Sequence, residues 1–138
     1  MQRVLFVDVR NTARSPMAEA WFNHLAAGWG HAISCGTMPA REFDLNTILV
    51  MSEVHISIRE PVPRPLRQQL LAQAKTIVLM GHEVRADAFP KPIVWSFPDP
   101  TGQSLDDYRM LRDLIREKVL ELAHQLRPLP TENTQPLS

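Results

Sequence analysis

Val4-Leu5-Phe6-Val7-Asp8-Val9-Arg10-Asn11-Thr12-Ala13-Arg14-Ser15-Pro16-Met17-Ala18-Glu19-Ala20 reads as an apolar strand, a short polar loop and a helix in immediate succession. The apolar run over residues 3–7 suits a parallel strand buried on both faces. Ser15 is placed to cap the helix and Pro16 to open it. Such a layout aims backbone N–H groups and the positive end of a helix dipole at one spot, which attracts oxyanions. Arg14 adds a planar donor suited to phosphate. Asp8, at the end of the strand, contributes a negative charge to a loop built to attract one.

Working outward, the pattern predicts a helix from Ser15 to about Ala27, with Met17, Trp21 and Leu25 on one face, ended by Gly28 and Gly30. A short strand follows over 32–34 and a helix over 44–51. Pro61, Pro63 and Pro65 enforce an extended connection. A helix is expected over 66–74 with Leu66, Leu70 and Leu71 inward, then strands over 76–80 and 93–96, separated by a loop or short helix. A long amphipathic helix spans 105–126, with Leu111, Ile115, Val119 and Leu122 on one stripe. Strands alternating with helices argue a parallel sheet covered on both faces. In such sheets ligands bind at the carboxyl ends of the strands, which is where Asp8 to Arg14 fall.

A chain of 138 residues fits one domain with a real core, here 1–127, followed by a polar, proline-rich tail over 128–138 that reads as disordered. The formal net charge is zero, so no bulk pull toward nucleic acid or membrane is expected. No signal peptide or membrane span is read, and the expected location is cytoplasmic. The single cysteine, Cys35, excludes an internal disulfide framework and reads as a small buried residue. Histidines at 24, 31, 55, 82 and 124 lack metal-ligand spacing; no metal site and no cofactor are expected. The tryptophans and Phe22 read as core, not as a platform for nucleic acid.

The loop resembles the phosphate loop of the low-molecular-weight protein tyrosine phosphatases and the related thioredoxin-type arsenate reductases. That motif is a cysteine, five residues, then arginine and serine or threonine; here the frame is Asp8, Val9 to Ala13, Arg14 and Ser15, followed by a similar Pro-Met-Ala-Glu-Ala. Asn11 matches an asparagine that braces the family's loop. Ser34-Cys35-Gly36-Thr37 resembles its Ser-Ala-Gly-Thr, Ile77 to Gly81 its later strand, and Trp95-Ser96-Phe97-Pro98-Asp99-Pro100 its Asp-Pro segment, whose aspartate is the general acid. Four ordered motifs spanning roughly residues 3–127 make the match specific. It implies a three-layer α/β/α sandwich around a central parallel four-stranded sheet, and a phosphate or similar oxyanion as ligand, free or on a phosphorylated protein.

The resemblance assigns catalytic positions to Asp8, Arg14 and Asp99, and phosphate-binding positions to Val9, Arg10, Asn11, Thr12, Ala13, Arg14 and Ser15. Its nucleophile, however, is a thiolate, and here that position is Asp8. Arsenate reduction by a thiol relay needs at least two placed thiols; the region after Gly81 has none, so that route is excluded. A carboxylate at position 8 is expected to turn into the loop and accept bonds from Arg14, from Arg10 or from loop amides, partners that favour its ionised form. On that reading the loop is self-occupied and phosphatase turnover is lost. The alternative is an active phosphomonoesterase in which Asp8 is the nucleophile and Asp99 the acid. Plainer readings stand beside these: Arg14 as an ion-pair partner of Asp8, Arg10 as a solvated residue, Asp99 as a turn residue, and His82 as a surface histidine.

Overall fold

A computed structural model describes residues 1–129. Four strands, β1 (Gln2–Asp8), β2 (Gly30–Gly36), β3 (Thr76–Leu79) and β4 (Ile93–Val94), form one sheet in the order β2-β1-β3-β4. Every pairing is parallel, with Phe6 opposite Ser34 on one side and Val78 on the other. Helices α1 (Arg14–Leu25), α2 (Leu45–Glu53), α3 (Gln68–Gln73) and α4 (Leu105–Leu126) supply the outer layers. The expected three-layer sandwich is the fold observed.

Alternation along β1 divides the core. Val4 and Phe6 face a large cluster with Met17, Trp21 and Phe22 of α1 and Tyr108, Ile115 and Val119 of α4. Leu5 and Val7 face a smaller one with Cys35, Ile77, Leu79 and Phe89, against which Leu66, Leu70 and Leu71 pack. The helix expected over 66–74 shortens to Gln68–Gln73 and buries no residue completely, because the proline-rich connection stays extended up to it. Arg64 and Leu66 instead bond Gly36 through backbone, Gly36 N to Arg64 O at 2.8 Å and Leu66 N to Gly36 O at 3.0 Å.

α4 runs over the predicted residues. It is fixed by a capping box between Ser104 and Asp107 and by hydrogen bonds from Tyr108 to Asp44 and from Arg112 to Val50 O and Glu53. Gly30, expected to help end α1, is the first residue of β2. Of the tail expected to be disordered, residues 130–138 lie outside the described residues. No described helix is long and apolar enough to cross a membrane.

Strand order reverses about β1, which pairs with β2 on one side and β3 on the other. The loop after Asp8 and the loop after Leu79 therefore leave the carboxyl ends of adjacent parallel strands, the place where open sheets bind ligands.

Candidate functional site

Asp8 ends β1 and is 2% exposed. Its Oδ1 accepts the Asn11 amide at 2.7 Å and its Oδ2 the Ser15 amide at 2.9 Å. Ser15 was expected to cap α1. The helix instead starts at Arg14, with Ala13 at the cap position and no cap from its own side chain. The strand-end carboxylate of Asp8 takes an otherwise orphaned first-turn amide, and Ser15 Oγ is left to accept from Asn11. Of the partners expected for Asp8, only loop amides are used: among the described residues neither Arg10 nor Arg14 bonds it. Its titration also departs from expectation. Burial raises the carboxyl above its ordinary range, outweighing the Ser15 bonds, the Arg14 charge and the Asn11 amide, which lower it.

The loop is held from the opposite side by Asn11, which adopts a left-handed backbone at φ 56°. Its Nδ2 donates to Ser15 Oγ at 2.8 Å and Ser34 Oγ at 2.9 Å, and its Oδ1 accepts the Arg64 amide at 2.7 Å. Ser34 Oγ donates in turn to Glu19, at 2.7 Å. Gly36 makes the close approach possible: a Cβ there would lie 2.5 Å from Val9 O and 3.1 Å from Asn11 Cβ. The Thr12 carbonyl accepts Thr47 Oγ1 of α2 at 2.7 Å. Among the described residues, no protein acceptor takes the amides of Thr12, Ala13 or Arg14, although all three residues are buried. These are donors that an oxyanion can use.

Arg14 is 3% exposed but makes no hydrogen bond to Asp8. Its Nη1 donates to Phe97 O at 2.8 Å and to both oxygens of Glu83, at 3.1 and 3.0 Å. The ion-pair partner expected at position 8 is thus found at position 83, in the loop after β3. Arg10 is exposed, as is His82. Asp99 lies at the same end of the sheet, close enough to Arg14 and Arg10 to feel their charge, but its carboxylate accepts the Thr101 amide at 3.0 Å and the Thr101 hydroxyl at 2.6 Å. Partial desolvation raises its carboxyl, while the Thr101 bonds and then the two arginines outweigh this and leave it below the ordinary value. Such a group holds its proton poorly as a general acid near neutral pH.

The geometry can be set beside known proteins. A profile described as low molecular weight phosphotyrosine protein phosphatase matches residues 3–130. The chain belongs to the low-molecular-weight phosphotyrosine protein phosphatase family. Within that family it is similar to a glutaredoxin arsenate reductase of Synechocystis sp., at 31% identity over 88% of this chain and 96% of that protein. It is also similar to a protein-arginine-phosphatase of Bacillus subtilis, at 30% identity over 90% of this chain and 96% of that one. Among solved structures, an arsenate reductase in the phosphate binding state superposes with a TM-score of 0.83 at 29% identity, covering 91% of this chain and 99% of that chain.

Compared with the family motifs, the sequence reading missed three residues that shape the site. Glu83 carried no motif, since its role depends on β3 lying beside β1. Gly36 stood inside a recognised segment without a stated reason, and its close contact with Val9 supplies one. Glu19 sits in the helix start and reaches Ser34 across α1 and β2. Cys35 is buried, and burial, then the nearby Asp8 charge, pushes its thiol up to about 12, so it supplies no thiolate near neutral pH.

Proposed function

We propose that this member of the phosphatase family carries Asp8 at the nucleophile position, is impaired in phosphomonoester turnover, and uses its loop to bind phosphate or a similar oxyanion, including one carried on a phosphorylated protein in the cytosol. One observation carries the reading: both Asp8 oxygens are engaged by the amides of Asn11 and Ser15, while the amides of Thr12, Ala13 and Arg14 have no protein acceptor among the described residues. A nucleophile needs a lone pair aimed at phosphorus, whereas the two amide bonds fix the direction of the Asp8 carboxylate and commit it to holding the loop. The relative in a phosphate binding state supports an oxyanion as the ligand.

An aspartyl nucleophile is less well supported. Asp8 is buried and its carboxyl raised, which disfavours the attacking anion, and Asp99 is lowered where an acid needs to be raised. Thiol-relay arsenate reduction finds no second cysteine in the sequence. The test pairs two measurements on the natural protein: calorimetric titration with inorganic phosphate, and phosphate release from p-nitrophenyl phosphate with Mg²⁺ and with EDTA. Saturable binding with release at the buffer rate is expected. Sites that form an aspartyl-phosphate usually hold Mg²⁺ through carboxylates, so release that depends on Mg²⁺ would establish the aspartyl route instead.

A further inference from the structure

Glu83 comes to Arg14 by a specific local route. β3 ends at Leu79, Met80 N bonds Val7 O at 2.9 Å, and the chain turns back so that Val84, 5% exposed, packs into the smaller core. The turn between them lays Glu83 over the bare face of Gly81. A Cβ on Gly81 would stand 2.1 Å from Glu83 Oε1 and 2.5 Å from Arg14 Nη1. The missing side chain is therefore the seat in which carboxylate and guanidinium meet.

The two partners are unequal. The Arg14 side chain is 4% exposed and is also fixed by Phe97 O, whereas the Glu83 side chain is 48% exposed. Both Glu83 oxygens share the single Nη1, so the fork geometry that makes arginine–oxyanion pairs strong is not used. A half-exposed pair of this kind adds little net stability. A phosphoryl group entering the loop would meet the same guanidinium with more charge and with the amides of Thr12, Ala13 and Arg14 as additional donors.

We infer that Glu83 is an internal competitor for the anion site: its carboxylate occupies the Arg14 guanidinium until a phosphoryl group displaces it into solvent, and it thereby sets the affinity of the loop for oxyanions. The inference rests on the reading of the loop as an oxyanion binder. Release requires only the turn at 82–83 to let go, because Val84 anchors the chain behind it and Phe97 O keeps Arg14 in place. Weak monoanions gain too little to displace a tethered carboxylate, so the device discriminates in favour of doubly charged phosphoryl groups.

Calorimetric titration of inorganic phosphate into the natural protein, Glu83→Ala, Glu83→Gln and Asp87→Asn tests this. Asp87 is an exposed acid of the same loop, paired with Arg85, and controls for loss of net charge. Glu83→Ala is expected to bind phosphate about tenfold more tightly, which is about 1.4 kcal/mol. Glu83→Gln keeps the shape, loses the charge and follows in the same direction, while Asp87→Asn stays at the natural value. Equal phosphate affinity in Glu83→Ala and the natural protein overturns the competitor while leaving the oxyanion reading intact. No phosphate binding by either protein overturns both. Tightening by Asp87→Asn as large as that by Glu83→Ala assigns the effect to bulk charge and also overturns the competitor.

Discussion

Replacing Asn11 by alanine should loosen the loop by an amount that can be worked from its contacts. Three hydrogen bonds are lost, to Ser15 Oγ, Ser34 Oγ and the Arg64 amide. Each contributes about 0.5–1.5 kcal/mol net. Alanine must also take the left-handed φ of 56°, a region asparagine visits far more readily, which adds up to about 1 kcal/mol. With each bond taken at about 0.7 kcal/mol, toward the low end because the loop can rearrange, the sum is about 3 kcal/mol. Unfolding entropy of about 2.1 cal/mol/K per residue over 138 residues makes each kcal/mol worth about 3.4 °C, so Tm should fall by about 10 °C. Asn11→Gly separates the two contributions: it loses the same bonds without the backbone penalty, and should retain about 1 kcal/mol relative to alanine. Thermal unfolding followed by circular dichroism reads both. A loss below about 1 kcal/mol in Asn11→Ala, less than even the three bonds at their weakest, would refute the claim that Asn11 holds the loop. Equal Tm for the two variants would refute the backbone part.

Other consequences are as direct. The folded state raises the Asp8 carboxyl, so it binds that proton more tightly than the unfolded chain does. The stability tied to this proton is full below the ordinary carboxylate value of 3.8 and is lost as pH rises through the higher folded value. Denaturant unfolding from pH 4 upward should therefore show Asp8→Asn gaining on the natural protein as pH rises. Gly36→Ala places a Cβ 2.5 Å from Val9 O and should cost about 1–3 kcal/mol, with loss of phosphate binding in the same titration. Cys35, buried with its thiol near 12, should resist iodoacetamide in the native protein at pH 8 and react once urea unfolds it.

The fold was legible because its elements announce themselves locally. The β1 run, the stripe of α4 and the alternation of strands and helices depend on neighbours within a few residues, and the phosphate-loop frame adds an ordered set of motifs. The capping of α1 was not legible in the same way. Ser15 has the side chain of a cap, yet the helix starts one residue before it, and its own first-turn amide is taken by Asp8, seven residues earlier and across the loop. The direction of the Asp8 titration departs from the donor count for a related reason: the donors favour ionisation, and only burial to 2% exposure reverses the balance. The Arg14–Glu83 pair spans 69 positions and exists because β3 pairs with β1, a fact of topology that no local spacing encodes. Asp99 was found by its segment, and its bonds from Thr101, two residues on, agree with the plainer reading of it as a turn residue.

The most direct measurement is phosphate release from p-nitrophenyl phosphate by the natural protein beside its Asp8→Cys variant, at neutral pH and equal concentration. If the frame of the loop is retained and only the nucleophile is missing, the variant releases phosphate and the natural protein stays at the buffer rate. Release by the natural protein would show Asp8 acting in the chemistry, and silence from both would show a loop no longer shaped for phosphoryl transfer; either result contradicts the account.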